Sequence, residues 1–342
     1  MTILTIATII PLYNGGPFIR DALESVLAQS VPPDEILVVD DGSTDDGPAI
    51  VEEMAKIHPI TLLRKPNGGQ SSARNFAAER CSSSHIALLD QDDVWYPDHL
   101  ATLRAPFVDG SNDERLAVVY GNLDHVDRDG KMVAHSCLDG FGSVHPKTTL
   151  QQCLERDMFM LPGASLLEKE ALFKAGRFDE RLSGYEDDDL FLRIFREGYR
   201  SRYIDRPVTK WRIHPGSTSY SLRMAVSRMI YYRKLVETFP NEPRLHQFWV
   251  RDYIAPRFFR SVVGDYINGS KAGDKPRMDR CWADMRVIAP ELPRRTRRRF
   301  RRVAPLIHVV HRARLTNLAR MLLRYAISDR KKAAVVLQRQ VA

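Results

Sequence analysis

The chain is predicted to fold as an α/β protein, with a mainly parallel sheet over residues 1–220 and a mostly helical, basic extension over 221–342. Three observations carry that prediction. Apolar runs rich in β-branched residues alternate with helical patterns through the first hundred residues, as βαβ units and a parallel sheet require. Two of these runs end in clustered carboxylates, Asp40-Asp41 and Asp90-Gln91-Asp92-Asp93. From Ser221 onward the chain reads mostly as helix.

The elements follow in order. Ile3 to Ile10 is a β-branched run and the first strand. Gly15-Gly16-Pro17 breaks the chain and starts a helix with Ile19, Leu23, Val26 and Leu27 on one face. Past Pro32-Pro33, Glu35 to Val39 is the second strand, Asp46 to Lys56 a helix and Ile60 to Leu63 the third strand. Asn67-Gly68-Gly69 is a turn, Ser71 to Arg80 a helix and His85 to Leu89 the fourth strand. After residue 110 the rhythm changes. Leu116 to Tyr120 is a strand, and Asp124 to Val133 a hairpin turning at Asp129-Gly130. Residues 135–150 give no regular signal. Leu166 to Ala175 begins as strand and ends as helix, Gly184 to Gly198 is a helix with a Leu190, Phe191, Ile194, Phe195 stripe, and Tyr203 to Trp211 holds a short strand.

Composition narrows the class. Apolar content of 44% and charged content of 27% are those of a globular protein. Cys81, Cys137, Cys153 and Cys281 are scattered without a framework spacing, which points to a reducing, cytosolic compartment. The apolar start lacks a basic n-region and a cleavage site, so it reads as a buried strand rather than a signal peptide. No stretch reaches the roughly 20 apolar residues of a membrane-spanning helix. Charge is uneven. Residues 281–342 hold 16 Lys and Arg against Asp284, Glu291 and Asp329, a surplus of +13, which leaves −5 for the other 280 residues out of the total of +8. A basic tail suits an anionic membrane surface, nucleic acid or an acidic partner.

Five segments are candidates for chemistry. Asp90, Asp92 and Asp93 follow an apolar strand, and the carboxyl ends of strands are where open α/β sheets bind ligands. Their oxygen density suits Mg²⁺ or Mn²⁺ shared with substrate phosphates. A solvated cluster at a helix start is the competing reading. A calcium loop fails, because its sixth position is Trp95 and its twelfth Ala101. Asp40-Asp41-Gly42-Ser43 can accept hydrogen bonds from a base or ribose, or form an ordinary Asx turn. Asn67-Gly68-Gly69 before a helix, with Arg74, suits an anion or is a turn with a surface arginine. Glu186-Asp187-Asp188-Asp189 opens a helix, where acids complement the dipole; one of them facing a site would serve as a general base. His214 is a metal or phosphate ligand or a loop histidine.

In this order and spacing the segments closely resemble the family 2 glycosyltransferases, nucleotide-sugar-dependent enzymes with a GT-A fold. The resemblance covers about residues 3–220. It rests on Ile10-Pro11-Leu12-Tyr13-Asn14, Val38-Val39-Asp40-Asp41-Gly42-Ser43-Thr44-Asp45, Asn67-Gly68 with Ala73-Arg74-Asn75, and Leu89-Asp90-Gln91-Asp92-Asp93-Val94-Trp95. Phe178-Asp179-Glu180, Glu186-Asp187-x-Asp189-Leu190-x-x-Arg193 and Arg212-x-His214-x-x-Ser217 complete it. The resemblance implies that Pro11 and Tyr13 line a nucleotide pocket, that Asp41 bonds the base with Asp40 supporting the turn, and that Asp90 lies near the ribose with Asp92 on the metal. It implies Arg74 on the nucleotide side, Asp93 and Glu186 in support, Asp187 as the base that deprotonates the acceptor hydroxyl, and His214 near the diphosphate and metal. The run Asp187-Asp188-Asp189 departs from the family pattern, and the base can slip to a neighbour. The implied reaction moves a sugar from a nucleotide-diphospho-sugar, with uridine diphosphate favoured by family habit, to a glycan or lipid-linked acceptor with inversion. Cell-surface polysaccharide synthesis would be its setting. A catalytically inactive sugar-nucleotide-binding scaffold is the alternative. A nucleic-acid-binding protein finds no motif here.

The tail lies outside the resemblance. Leu315, Leu318, Leu322 and Tyr325 form an apolar stripe with Arg312, Arg320 and Arg324 on other faces. A peripheral helix on an anionic inner-membrane surface and a helical domain docking on the acidic part of the chain are the two readings.

Overall fold

The computed structural model describes residues 4–109, 113–214, 222–312 and 316–327. Ser217 and Leu315 lie outside the described residues, as do the side chains of Arg312 and Arg320. The chain divides into two compact units, Met1–Cys153 with Asp157–Tyr231, and Leu154–Arg156 with Tyr232–Ala342.

In the first unit β1 (Ile6–Leu12), β2 (Glu35–Asp40), β3 (Ile60–Arg64) and β4 (His85–Leu88) stand in the order β3-β2-β1-β4, all parallel. The helices α1 (Gly16–Leu27), α2 (Gly47–Ala55) and α3 (Gln70–Ala78) connect them. β1 is buried along its whole length, as the central strand of a sheet covered on both faces must be. Ile19, Leu23 and Val26 are the buried side of α1, the face that the apolar spacing predicts.

The remainder is β5 (Val94–Trp95), α4 (His99–Val108), β6 (Leu116–Val126), β7 (Met132–Ala134), α5 (Cys137–Gly140), α6 (Leu150–Glu155), β8 (Ser165–Glu168), α7 (Lys169–Lys174), α8 (Glu186–Arg196), β9 (Arg200–Arg212) and α9 (Leu222–Thr238). The full sheet runs β3-β2-β1-β4-β8-β6-β9-β5, with β7 pairing β6. It is mixed. β8 enters antiparallel between β4 and β6, β9 returns parallel to β6, and β5 is antiparallel to β9. The expected parallel order thus holds for the first four strands only. Insertion of β8 is a long-range pairing that local periodicity does not encode. β6 and β9 also outrun their predicted lengths, because each pairs the other from Leu116 and Arg200 to Val126 and Arg212. The hairpin at Asp129-Gly130 forms as expected, with His125 opposite Ala134.

The second unit holds a small hairpin, β10 (Asn241–Glu242) and β11 (Gln247–Phe248). Its helices are α10 (Ala255–Ala272), α11 (Lys275–Ile288), α12 (Arg294–Arg312) and α13 (Thr316–Ile327). Phe259, Trp282, Phe300, Ile307 and Leu323 are among its buried side chains, and Phe259 meets Phe300 edge-on at 5.2 Å between ring centroids. Asp274 caps α11 by accepting from Arg277 N at 3.1 Å. α13 packs on α12 and α10 through Ala319 and Leu323. Its buried face is therefore turned one position from the predicted stripe: Leu318 and Leu322 are half-buried, and Tyr325 is exposed. Among the described residues no helix is long and apolar enough to cross a membrane, and all four cysteines are free thiols.

Truncating Ile9, fully buried at the centre of the sheet, to alanine should destabilise the first unit by about 2–5 kcal/mol. Urea unfolding followed by circular dichroism checks this, and an unchanged midpoint would contradict the placement.

Candidate active site

The carboxyl ends of the four parallel strands open on a cavity of about 720 Å³. Pro11 is buried at the end of β1, and Tyr13 beyond it is 45% exposed. The loop after β1 is tied to the loop after β4 by Gln91, the middle residue of Asp-Gln-Asp. Its Oε1 accepts from Tyr13 N at 2.8 Å, and its Nε2 donates to Tyr13 O at 3.2 Å. A Cβ on Gly15 would lie 2.3 Å from the Gln91 amide, so a larger residue there would displace that amide from Tyr13.

At the end of β2, Asp40 accepts from Ser43 N at 2.8 Å and so holds the turn. It sits behind the cavity wall; the other expected site residues line the cavity. Asp41 is buried and accepts from Lys65 Nζ at 2.6 Å, Gly68 N at 2.9 Å and Gly69 N at 2.7 Å. Its carboxylate gathers the Asn67–Gly69 turn against the strand end. Lys65 was not singled out from the sequence, because a lysine before a proline carries no motif.

Arg74 projects from α3 and is 1% exposed. One nitrogen donates to Asp90 Oδ1 at 2.6 Å and another to Glu186 Oε1 at 3.3 Å. Burial opposes its charge, but the flanking carboxylates of Asp90 and Glu186 prevail and hold its pKa above the ordinary arginine value. The arginine is thus not on the surface; it pairs with carboxylates, as an arginine after such a turn can, and braces two of them. Gln70 Nε2 adds a bond to Asp90 Oδ1 at 2.6 Å. The next residue, Asn75, bonds the backbone of Phe178 in both directions at 3.0 Å and Glu180 Oε1 at 3.0 Å, which joins two segments that the sequence presents far apart.

Asp92 Oδ2 lies 2.9 Å from His214 Nε2, and the imidazole stacks on Phe18 at 4.9 Å. Asp93 is buried and accepts from Arg212 N at 2.9 Å. Burial, with repulsion from the neighbouring aspartates, raises the carboxyl pKa of Asp92 and raises that of Asp93 well above the usual range. Such a cluster favours either a proton or a cation. Among the described residues no three His, Cys, Asp or Glu side chains converge as a complete metal cage. One or two carboxylates with open positions is nonetheless the donor set that Mg²⁺ or Mn²⁺ takes when substrate phosphates fill the rest. The residues fit that mode. Arg212, unassigned from sequence, pairs with Asp21 at 3.0 Å and lies over the Phe18 ring.

The acids of α8 divide sharply. Tyr185, just before the helix, holds φ 67°, the left-handed region. Glu186 accepts from Gly184 N at 2.6 Å as well as from Arg74. Asp188 is buried, accepting from Met158 N and from Tyr231 Oη at 2.7 Å. Asp189 is buried against Arg193, whose Nε donates at 2.9 Å. Asp187 is half-buried on the cavity wall and accepts from Asp188 N at 2.8 Å. Burial, then the charges of Glu186 and Asp188, raises its pKa well above the carboxylate range.

Asp157, Phe159, Leu161 and Phe141 also line the wall, and no sequence signal marked them. They lie in or beside the stretch without periodicity, and only the fold brings them to the acids.

Residues 7–175 match the family model described as Glycosyl transferase family 2. An uncharacterized glycosyltransferase of Rickettsia bellii is 31% identical over 211 residues, 61% of this chain and 30% of that protein. The chain spans about a third of the length of the first curated relatives it matches. Among solved structures, S. aureus TarS 1-349 in complex with UDP-GlcNAc superposes with a TM-score of 0.63 at 20% identity, covering 94% of this chain and 91% of that one. The mannosyltransferase PcManGT from Pyrobaculum calidifontis, in complex with GDP-Man and Mn²⁺, gives 0.55 at 18% identity over 94% and 85%. These likenesses show a shared GT-A fold. With Pro11, Asp41, Arg74 and the Asp90-Gln91-Asp92 strand end all inside the matched residues, the chain belongs to glycosyl transferase family 2, an enzyme family of inverting transferases.

Proposed function

We propose that this chain transfers a sugar from a nucleotide-diphospho-sugar to a hydroxyl of a glycan or lipid-linked acceptor, with inversion, in cell-surface polysaccharide synthesis. The observation that supports this most is the division among the acids of α8. Asp188 and Asp189 accept from the side chains of Tyr231 and Arg193, while Asp187, which accepts from a backbone N–H, lines the cavity with Asp92 and His214, as Glu186 and Asp188 also do. The donor's nucleotide would lie between Pro11, Tyr13 and Asp41, with its ribose near Asp90. Uridine diphosphate is the favoured carrier; TarS is solved with UDP-GlcNAc and PcManGT with GDP-Man.

In the proposed reaction the acceptor oxygen forms a bond to the anomeric carbon as the bond from that carbon to the diphosphate oxygen breaks. Asp187 takes the hydroxyl proton, and the nucleoside diphosphate leaves with the bonding pair. One base and one displacement give inversion without a covalent intermediate. Asp92, with His214, would hold Mg²⁺ or Mn²⁺, which offsets charge on the departing diphosphate. Arg74 orients rather than binds: it keeps Asp90 and the start of α8 in register.

For the second unit we propose peripheral binding to the anionic inner face of a membrane. Exposed Arg295, Arg298 and Arg302 on α12 support this reading. Each basic residue near such a surface is attracted by about 1 kcal/mol. Removing residues 281–342 would cut α11 and strip Trp282 and Phe300 from the core, so charge reversal is the cleaner test.

Hydrolysis of UDP-sugars with and without Mn²⁺ tests the activity, and a chain that binds donor but never turns it over would be the inactive scaffold. Asp92→Ala should abolish turnover and remove the effect of Mn²⁺ on nucleotide affinity; near-normal metal-dependent turnover would refute the assignment.

Asp187→Asn should leave donor affinity intact and lower kcat by about two to four orders of magnitude. Because the folded-state pKa of Asp187 is raised, wild-type transfer should climb with pH along a limb above the ordinary carboxylate range, as the base loses its proton. An active Asp187→Asn beside a dead Asp188→Asn would move the base.

Replacing Arg295, Arg298 and Arg302 together by glutamate should weaken sedimentation with phosphatidylserine vesicles while donor hydrolysis persists. Equal sedimentation at low salt would end the membrane reading.

A further inference from the structure

The cavity has an order that the hydrogen bonds trace. Asp41 holds Gly69 N, and the next residue, Gln70, bonds Asp90. Arg74 joins Asp90 to Glu186. Asp187 and Asp188 follow, and Asp188 holds Met158 N, one residue before Phe159. The nucleotide end at Asp41 and the Phe159 end therefore lie at opposite ends of this chain of contacts, with the acids between them.

The far end is aromatic. Phe159 and Phe141 stack with centroids 4.6 Å apart and planes 18° from parallel. Both are only half-buried, and both line the cavity with Tyr185 and Leu161. Two of these aromatics have unfavourable backbone: Phe159 holds φ 51° and Tyr185 φ 67°. Bulky residues rarely occupy the left-handed region, and such outliers gather at ligand-binding walls. They line the same cavity as Asp187 and come from two separate segments. Asp157, Asp187 and Arg223 also line the cavity, a lining that gives an anionic acceptor no net attraction.

We propose that Phe159, backed by Phe141 and flanked by Tyr185, is the stacking surface for a pyranose ring of the acceptor, so that the acceptor is an uncharged glycan unit read by its apolar face. A pyranose presents a row of C–H bonds on one face, which packs against the negative face of an aromatic ring. Stacking there would set the ring edge-on to Asp187 and leave a hydroxyl for deprotonation. This assignment rests on the transferase reading and adds the acceptor class to it.

The test is saturation-transfer NMR on the full chain with UDP and Mn²⁺. The probes are methyl β-glucopyranoside, methyl β-galactopyranoside and methyl β-N-acetylglucosaminide, with glycerol 3-phosphate as the anionic polyol. At least one pyranoside should show saturation concentrated on the ring protons of one face, retained in Phe159→Tyr. Its affinity should fall about tenfold in Phe159→Leu and in Phe141→Leu, the scale of losing one aromatic contact. UDP affinity should stay within about twofold, a ratio well under one tenfold step. Absence of pyranoside binding, preference for glycerol 3-phosphate, or saturation that survives both leucine variants would overturn the assignment. So would a parallel loss of UDP affinity, which would place the nucleobase on these rings. If Phe159→Leu does not fold, Phe141→Leu decides alone. Failure of the wild type to bind UDP would instead sink the transferase reading, and the pyranoside signals would still report on the rings.

Discussion

The buried ion bridge of Arg74 is the interaction on which the rest of the site depends. A guanidinium taken out of water costs several kcal/mol unless carboxylates surround it. Arg74 meets that cost with Asp90 on one side and Glu186 on the other. Those acids belong to the end of β4 and the start of α8, nearly a hundred residues apart in sequence. The charge therefore works as a brace. It holds the Asp-Gln-Asp strand end and the acid-rich helix start in one register, while Asn75 clamps the Phe178–Glu180 segment from the same helix. Removing the arginine would leave the buried Glu186 and the half-buried Asp90 without their cation, as well as a gap in the wall.

Around the brace, acids are crowded but differ in role. Asp40, Asp41, Asp188 and Asp189 each accept from backbone or side-chain donors and act as structural ties. Asp92, Asp93 and Asp187 carry raised pKa values because burial and like charges both penalise ionisation. Raised carboxyls in one cavity mark where a cation or a transferred proton is favoured. The crowding is thus a store of electrostatic free energy, which a bound cation or an accepted proton would relieve.

The mixed half of the sheet serves this arrangement. The parallel strands deliver Pro11, Asp41 and Asp90 to one edge. The antiparallel entry of β8 carries residues 157–164 across it, where Trp95 Nε1 and Thr209 Oγ1 both donate to Gly163 O, at 2.9 and 2.7 Å. That anchoring sets Phe159 beside the acids. A wholly parallel sheet would supply Pro11, Asp41 and Asp90 without that wall.

Much of this was legible in the amino-acid sequence, for local reasons. The period of apolar residues determined the four parallel strands and the faces of their helices, because burial of one face is a nearest-neighbour property. The Asp-Gln-Asp after an apolar run, the Asp40-Asp41 turn and the acid run at 186–189 were visible because strand ends and helix starts leave marks in composition. The tertiary structure alone decided that Arg74 braces carboxylates instead of lying on the surface, and that Lys65 and Gln91 knit the strand ends. It also decided that β8 runs antiparallel, and which face α13 buries. It also gave Glu186, Asp188 and Asp189 side-chain partners at Arg74, Tyr231 and Arg193, which is the reason Asp187 is the acid proposed here as the base. Apart from the i,i+4 pair of Asp189 and Arg193, each of these depends on a contact between residues distant in sequence, and such a contact leaves no periodicity, cap or turn signal at either end.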